Sequence, residues 1–212
     1  MIELTLIQKI AISILPILFA ITVHEVAHGY VANLLGDPTA RLLGRLTLNP
    51  IKHIDPIGTI LVPGILLLIG GFVFGWAKPV PITWQNLRNQ RRDVALVAIA
   101  GPFVNLVMAC FWAILAKIAL GLNPQPINFA YALVTMSQIG VVVNIILMVL
   151  NLIPIPPLDG SRVVSSYLPG RMAYQYDRLE PYGFFIILAL LATGVLSMIM
   201  NPIVYFIVNI LI

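Results

Sequence analysis

Five long apolar runs dominate the sequence, and they restrict the chain to folds that suit a lipid bilayer. They cover about 6–35, 57–75, 94–120, 132–153 and 181–212. A helix needs roughly 20 apolar residues to cross a membrane, and the first, third and fourth runs meet that length as single spans. Only 9% of the 212 residues are charged, against roughly 25% in soluble domains. We therefore predict a single all-α polytopic membrane domain over residues 1–212.

The rest of the sequence indicates no further domain. The N-terminus lacks a charged segment followed by a small-residue cleavage site, so we interpret the first run as a retained span rather than a signal peptide. No stretch between the runs has room for a PDZ-sized domain. The net charge of +4 comes from basic residues that lie mostly in loops, which indicates membrane topology rather than nucleic-acid binding. We expect the lipid bilayer, and no nucleic acid, as a partner; the oligomeric state is open.

The sequence His24-Glu25-Val26-Ala27-His28 lies inside the first apolar run. On a helix, histidines four residues apart project from one face, where both imidazoles can reach one zinc ion. Glu25 is placed to take a proton from a zinc-bound water. Ionisable residues are costly in hydrocarbon, which favours a functional site over core histidines that only hydrogen bond to neighbouring helices. The motif predicts a catalytic zinc site within the membrane.

A third ligand must come from elsewhere, because a catalytic zinc usually has three protein ligands and a water. Asp159 ends the proline-rich stretch Asn151-Leu-Ile-Pro-Ile-Pro-Pro-Leu-Asp-Gly160, where the prolines prevent a regular helix. Asp159 is therefore a candidate ligand, with helix capping as its alternative role. His53, in the polar stretch 49–55 with Asp55, is a second candidate, with a loop role such as capping by Asp55 as the alternative. The one cysteine, Cys110, leaves any zinc site to histidines and carboxylates.

The second apolar run, 57–75, contains Pro63-Gly64 and Gly70-Gly71, which disfavour a continuous helix. Basic residues flank it on both sides, which places both flanks in the cytoplasm. If Asp159 and the two histidines lie at the same depth in the membrane, the first helix must point toward the cytoplasm. The second apolar run must then begin and end on the cytoplasmic side. We expect a re-entrant or β-containing membrane-associated segment that lines a cavity; a kinked span is the alternative.

The last run, 181–212, is too long for one upright helix. Gly194 and Asn201-Pro202 are positions where a helix can break, so we predict a C-terminal helical hairpin over about 181–212. Within the fourth run, Asn144 is expected to hydrogen bond to a neighbouring helix.

These residues resemble the site-2 protease family of intramembrane zinc metalloproteases. The resemblance rests on HEVAH in the first span, Gly101-Pro-Phe-Val-Asn105 in a middle span, and Asn151-x-x-Pro-x-Pro-x-Leu-Asp-Gly160. Four further stretches resemble its compact prokaryotic branch, which lacks a PDZ domain: Gly36-Asp-Pro-Thr-Ala-Arg41, Gly44-Arg-Leu-Thr-Leu-Asn-Pro50, His53-Ile-Asp-Pro-Ile-Gly58 and Gly75-Trp-Ala-Lys-Pro-Val80. The resemblance covers roughly residues 10–165 and predicts a site-2 protease-like transmembrane core.

The resemblance implies one Zn²⁺ per chain, bound by His24, His28 and Asp159, with Glu25 as the general base. It implies that Asn151 helps to hold the substrate carbonyl or its oxyanion, and that Asn105 supports packing between the core helices. The implied activity is hydrolysis of peptide bonds within or near transmembrane helices of membrane protein substrates. The implied location is a prokaryotic cell (inner) membrane, with the active site toward the cytoplasm.

A substrate unwound from its helix could add as a strand to an exposed edge, for which Leu61–Val62 and Val80–Thr83 are the candidates. Two other functions compete with proteolysis. A catalytically idle zinc-binding membrane scaffold would have no need of Glu25. A metal transporter usually shows repeated or inverted halves, and the sequence shows no such symmetry. We therefore favour proteolysis.

Overall fold

Three long helices form the centre of the molecule. The computed structural model describes residues 5–62, 64–65, 75–125 and 128–212. Helix α1 covers Leu6–Leu34 and is followed by a single turn, α2, at Thr39–Leu42. Helix α3 covers Gln90–Gly121, and α4 covers Phe129–Asn151. Helices α1, α3 and α4 are each long and apolar enough to cross a membrane, which confirms the predicted all-α polytopic class.

Polar residues fix where these helices begin. At the start of α1, Thr5 and Gln8 cap each other: the Gln8 N–H donates to Thr5 Oγ1 at 3.3 Å, and the Thr5 N–H donates to Gln8 Oε1 at 2.9 Å. Asn89 and Asn128 cap α3 and α4, each accepting a backbone N–H from the first turn of its helix. Side-chain caps satisfy backbone donors that a helix leaves without partners. Helices α3 and α4 therefore begin a few residues before their apolar runs do, whereas α1 begins together with its run.

The three helices pack in alternating directions. His24 of α1 lies against Asn105 of α3, and His28 lies against Val97, so α1 and α3 are antiparallel. Asn105 also bonds to Asn144 of α4, and a short loop reverses the chain between α3 and α4. The C-terminal ends of α1 and α4 therefore share one end of the bundle with the N-terminal end of α3.

The chain between α1 and α3 leaves and returns at that same end, since the Arg88 N–H donates to the Leu35 carbonyl at 3.2 Å. Besides α2, the described residues of this segment form 3₁₀ turns at Pro50–His53 and Trp84–Asn86 and a π-helical turn at Pro56–Leu61. Leu61 is helical and Val62 has helical φ and ψ angles. The predicted strand edge at Leu61–Val62 is therefore wrong, because this apolar stretch coils instead of extending.

The predicted re-entrant or β-containing segment, about 57–75, falls largely on residues 63 and 66–74, which lie outside the described residues. Across residues 5–62, 64–65, 75–125 and 128–212 the chain forms no β-strand. Within the segment, the described residues 57–62 and 64–65 are helical. The re-entrant course of the segment stays a prediction.

Four helices follow α4. They are α5 (Asp159–Tyr167), α6 (Gly170–Asp177), α7 (Glu180–Ala192) and α8 (Val195–Leu211). Helices α7 and α8 meet at an angle of 78°, and Gly194 between them has a φ of +76°, which favours glycine. The break thus lies at Gly194, as predicted, whereas Pro202 lies inside α8 without interrupting it. At this angle the pair forms a corner rather than the close antiparallel packing of the predicted C-terminal hairpin.

The packing of α3 on α4 depends on a glycine. A Cβ atom on Gly140 of α4 would lie 2.5 Å from the Trp112 ring of α3. Trp112 belongs to a buried cluster with Ala109, Val141 and Ile145, so the ring has no space to move aside. Small residues at such contacts allow membrane helices to approach closely.

Replacing Gly140 by alanine should therefore destabilise the bundle by about 1–3 kcal/mol, the usual cost of overpacking. We expect detergent-solubilised Gly140→Ala protein to unfold at a lower temperature than the wild type. Gly121→Ala, on α3, is the matched control, because nothing lies within 4 Å of a Cβ atom there and both variants gain the helix propensity of alanine. Equal melting temperatures for the two variants would contradict the packing argument.

Candidate metal centre

Helix α1 presents two histidines side by side near its C-terminal end. His24 and His28 lie one turn apart on the face that packs against α3, and each is 7% exposed. Their Nε2 atoms are 3.0 Å apart, and their rings meet edge to face with centroids 4.6 Å apart. The spacing of four residues thus brings two ring nitrogens to one point, as the motif predicts.

Asp159 reaches the same point from beyond the end of α4. Helix α4 ends at Asn151, and a segment with three prolines leads to Asp159, the first residue of α5. Asp159 Oδ2 lies 3.3 Å from Nε2 of each histidine. Gly160 makes this course possible, because a Cβ atom there would lie 2.3 Å from the Leu152 carbonyl oxygen. The Leu-Asp-Gly sequence folds the carboxylate back onto α1.

Each imidazole is held through its Nδ1 atom. His28 Nδ1 lies 2.7 Å from the Val97 carbonyl oxygen, and His24 Nδ1 lies 2.6 Å from Asn105 Oδ1. A carbonyl oxygen only accepts hydrogen bonds, so Nδ1 of His28 carries the proton. Asn105 donates its Nδ2 to Asn144 Oδ1 at 2.9 Å, which turns its own oxygen toward His24. In the neutral rings, which are the form that binds a metal, both Nε2 atoms therefore carry lone pairs.

Three electron-pair donors thus converge, and this arrangement fits a metal ion. Two imidazole lone pairs and a carboxylate oxygen repel one another unless a cation lies between them. Asp159 Oδ2 is buried and accepts no hydrogen bond from the residues that the structure describes. Two ligands at about 2.0–2.1 Å from a tetrahedral Zn²⁺ ion lie about 3.3–3.4 Å apart, close to the observed distances. Within the described ranges, no other group of three His, Cys, Asp or Glu side chains converges in this way.

Helix α3 gives the histidines space as well as hydrogen bonds. A Cβ atom on Gly101 would lie 2.3 Å from His28 Nε2 and 2.5 Å from His24 Cε1. Any larger residue at this position would push both rings away from Asp159. Gly101 and Asn105 lie one turn apart on the same face of α3. One short motif therefore supplies both the space for the two rings and the oxygen that pairs with His24 Nδ1.

Glu25 is held separately from the three converging side chains. Its Oε2 atom accepts a hydrogen bond of 2.8 Å from the backbone N–H of Val80. Val80 belongs to an irregular segment that precedes α3 by a few residues. Glu25 therefore has one carboxylate oxygen held by the backbone of that segment.

Comparison with known proteins identifies the family. A Bacillus subtilis (strain 168) protein named "Putative zinc metalloprotease YwhC" is 38% identical over 191 residues, which cover 89% of this chain and 84% of the relative. The chain belongs to peptidase family M50, the site-2 protease family. The model of Peptidase family M50 itself matches residues 124–194, which include Asn151 and Asp159. Together with the three apolar helices, this family makes the chain a multi-pass membrane protein.

More distant relatives carry a similar name. "Putative zinc metalloprotease Rip2" of Mycolicibacterium smegmatis is 32% identical over 183 residues, which cover 85% of this chain and 66% of the relative. The protein of that name from Mycobacterium tuberculosis (strain H37Rv) is 31% identical over 153 residues, which cover 71% of this chain and 55% of the relative. The chain thus spans less than two thirds of these mycobacterial proteins. No solved structure matches the chain.

Three other residues singled out in the sequence are not among the converging side chains. Asn151 Nδ2 donates to the Leu147 carbonyl at 3.0 Å, one turn back in α4, and its role toward the substrate stays a prediction. His53 Nε2 pairs with the Thr47 carbonyl at 2.9 Å, which does not support His53 as the third ligand. Asp55 accepts two backbone N–H groups from the π-helical turn that follows it, so it caps that turn.

The sequence analysis missed that an asparagine of this family member orients a histidine. Asn105 was expected to support helix packing, but its side chain links His24 to Asn144, whose own Nδ2 donates to the Gly140 carbonyl at 2.8 Å. Both asparagines are fully buried. The predicted hydrogen bond between Asn144 and a neighbouring helix is confirmed, with Asn105 as its donor. The sequence feature that indicates this role is the amide side chain of Asn105, which lies inside an apolar run and one helical turn after Gly101.

Removing the Asn105 side chain should weaken metal binding without removing a ligand. We expect Asn105→Ala to lower the affinity for Co²⁺ or Zn²⁺ about 10- to 100-fold, as is usual when the partner of a metal-binding histidine is lost. Competition with a chromophoric chelator measures this affinity. Phe103→Ala, on the same helix but with a 62% exposed side chain, is the control. Equal affinities for both variants would mean that Asn105 serves only packing.

Proposed function

We propose that this chain is an intramembrane zinc metalloprotease that hydrolyses peptide bonds within or near transmembrane helices of other membrane proteins. The observation that carries the proposal is the convergence of His24 Nε2, His28 Nε2 and Asp159 Oδ2 inside a bundle of apolar helices. Structural zinc sites fill all four positions with protein ligands, whereas catalytic sites keep one position open. Three converging ligands with the carboxylate of Glu25 beside them fit the catalytic kind.

One zinc ion per chain would be held by His24, His28 and Asp159. The names of the relatives support zinc as the metal. Bound zinc acts as a Lewis acid and lowers the pKa of a water molecule to about 7. The chain contributes the orientation: the Val97 carbonyl and the Asn105 amide fix both rings, so that their Nε2 atoms stay directed at one point.

Glu25 would act first as a general base and then as a general acid. Val80 holds Oε2, so Oε1 would take a proton from the attacking water and later give it to the amine nitrogen of the leaving segment. Asn151 would hold the substrate carbonyl or its oxyanion. This role requires Asn151 to exchange its hydrogen bond with the Leu147 carbonyl for one with the substrate.

The substrate would be a transmembrane helix that unwinds locally. A peptide bond in a helix is covered by the helix's own hydrogen bonds, and glycine or proline residues in a substrate would favour opening. The outer faces of the bundle support an approach through the lipid, because large apolar side chains such as Ile10, Ile14 and Phe111 are exposed there.

The active site would lie toward the cytoplasm. Of the 12 lysine and arginine residues, only Lys9 and Lys117 lie at the opposite ends of α1 and α3. The other ten lie between α1 and α3, in the first turn of α3, or within residues 159–178. An excess of basic residues marks the cytoplasmic side, which supports this orientation in a prokaryotic inner membrane.

The central prediction separates chemistry from metal binding. Glu25→Gln should keep about one zinc per chain and lose cleavage by at least about 10²- to 10⁴-fold, because the amide cannot accept the proton. Asp159→Ala should lose both zinc affinity and cleavage. Zinc content and cleavage of single-span substrates, measured on detergent-solubilised protein, check both outcomes. Asp177→Ala, on α6, is the control for replacing an aspartate.

These measurements also separate the protease from a catalytically idle zinc-binding scaffold. A scaffold would bind zinc in the wild type but cleave no member of a panel of single-span substrates. Cleavage that persists in Glu25→Gln would refute the general-base role of Glu25. Full zinc affinity in Asp159→Ala would refute Asp159 as a ligand.

The orientation can be tested with single cysteines in a Cys110→Ala background. Gln85 lies between α1 and α3 and Gln125 lies between α3 and α4; both are exposed. In intact cells, a membrane-impermeant maleimide should label Gln125→Cys and should label Gln85→Cys only after permeabilisation. The reverse pattern would place the active site on the outside.

A further inference from the structure

Residues 75–83, here called the strap, run beside the C-terminal half of α1 without forming helix or strand. The strap contains Gly75-Trp-Ala-Lys-Pro-Val80, one of four stretches that the sequence analysis singled out and that the metal centre leaves without a role. The other three stretches, within 36–41, 44–50 and 53–58, all contribute contacts to the strap. The four stretches therefore form one structural unit.

The first half of the strap is fixed to the turn at 53–59. The Trp76 N–H donates to the Gly58 carbonyl at 3.0 Å, and the Lys78 N–H donates to the His53 carbonyl at 2.9 Å. Thr59 Oγ1 donates to the Trp76 carbonyl at 2.8 Å. A Cβ atom on Gly58 would lie 2.3 Å from the Trp76 ring. The strap can lie this close only because residue 58 is a glycine.

Arg45 fixes the strap immediately before Val80. Its Nη2 atom donates to the Lys78 carbonyl at 3.1 Å and to the Pro79 carbonyl at 3.3 Å. One planar guanidinium therefore sets the direction of two consecutive peptide groups. The second of these groups, formed by the Pro79 carbonyl and the Val80 N–H, is the one that bonds to Glu25.

Asp37 fixes the strap at its other end, where Oδ2 accepts the Thr83 N–H at 2.7 Å. The carboxylate also accepts hydrogen bonds from Thr39 and from Asn86. Burial alone would raise the pKa of Asp37, but the hydrogen bonds from Thr39, Asn86 and Thr83 outweigh burial and lower that pKa. The anchor therefore stays charged at neutral pH.

Between these two anchors, Val80 faces α1. Its N–H donates to Glu25 Oε2 at 2.8 Å, and its side chain is 5% exposed. A Cβ atom on Gly29 would lie 2.7 Å from Val80 Cγ1, which shows how closely strap and helix approach. Pro79 and Pro81 flank Val80, and prolines fix their own φ and hold the preceding residue in an extended conformation. The Val80 N–H is thus directed by a restrained backbone.

We infer that the Val80 N–H, set in place by Arg45, positions the carboxylate of Glu25 for the reaction. The inference rests on the proposed function. A carboxylate without this bond can rotate, whereas proton transfer needs one oxygen in a defined place. Val80 and Arg45 are positioning residues, since neither touches the three converging ligands. The four sequence stretches that form and surround the strap thus share one role: they hold the carboxylate of Glu25, the proposed general base, in position.

The same geometry changes the expectation that the strap is an edge for strand addition. Pro79 and Pro81 have no N–H group, and the N–H groups of Val80 and Thr83 are bonded to Glu25 and Asp37. A substrate aligned with Val80–Thr83 would therefore meet few backbone donors. The backbone donor of Val80 is thus used within the protein, where it bonds to Glu25.

The direct test removes the Val80 N–H alone. Val80→Pro lacks the donor but keeps an apolar side chain in a backbone already held by prolines, and Val80→Ala keeps the donor. With a cleaved single-span substrate, we expect kcat of Val80→Pro to fall about 10- to 100-fold, with KM and zinc content near those of the wild type. Val80→Ala should retain at least about tenfold more kcat than Val80→Pro. Equal kcat values, or faster cleavage by Val80→Pro, would overturn the inference.

A second measurement does not depend on cleavage. Amide exchange of Val80, followed by NMR of ¹⁵N-valine-labelled protein, should be at least about tenfold faster in Glu25→Ala and in Arg45→Ala than in the wild type. Glu25→Gln keeps an acceptor and should keep the protection, and Arg45→Lys should be intermediate. Lys78→Ala, which removes an exposed side chain, is the control and should exchange like the wild type.

The two measurements separate the inference from the proposed function. Unchanged Val80 exchange in Glu25→Ala would overturn the inference even if the wild type cleaves its substrates. A wild type that cleaves nothing would refute the proposed function and with it a positioning role in catalysis, while the exchange data would still decide whether the contact exists.

Discussion

A line of buried hydrogen bonds sets both the metal centre and the arrangement of the bundle. His24 on α1, Asn105 on α3 and Asn144 on α4 bond in sequence, and the line ends at the Gly140 carbonyl. Hydrocarbon offers no water to replace a lost partner, so sliding one helix by a residue would leave amides unpaired. The bonds that orient His24 therefore also fix the relative heights of three helices.

Close backbone approach is the second requirement, and glycines meet it at three places. Gly101 leaves room for both histidine rings, Gly140 leaves room for Trp112, and Gly160 lets the segment after α4 fold back on Leu152. Gly140 also serves the line of hydrogen bonds, because the asparagines can bond only if α3 and α4 lie close together. Polar side chains and small residues thus act together. The polar side chains make the hydrogen bonds, and the glycines let the packed segments approach closely enough for these bonds to form.

The sequence predicted the parts of the site that depend on side-chain identity. Two histidines four residues apart must share a helix face, and the apolar runs were long enough to reveal three spans. The convergence on Asp159 followed from the family resemblance. The strap could not be predicted, because its bonds join backbone groups that every residue carries, such as the Val80 N–H on Glu25. The edge at Leu61–Val62 was mistaken because apolar residues suit a coiled turn as well as a strand.

The ligands and the base rest on separate supports, and their duties differ. Metal ligands must keep one geometry throughout a reaction, which suits bonds between long helices in a water-poor interior. Glu25 must gain and lose a proton, so its support must tolerate a change of charge. A backbone N–H held by Arg45 and by two prolines does so, because it stays in place whether or not the carboxylate is protonated. Changes in the strap should therefore alter turnover while the bundle keeps its metal.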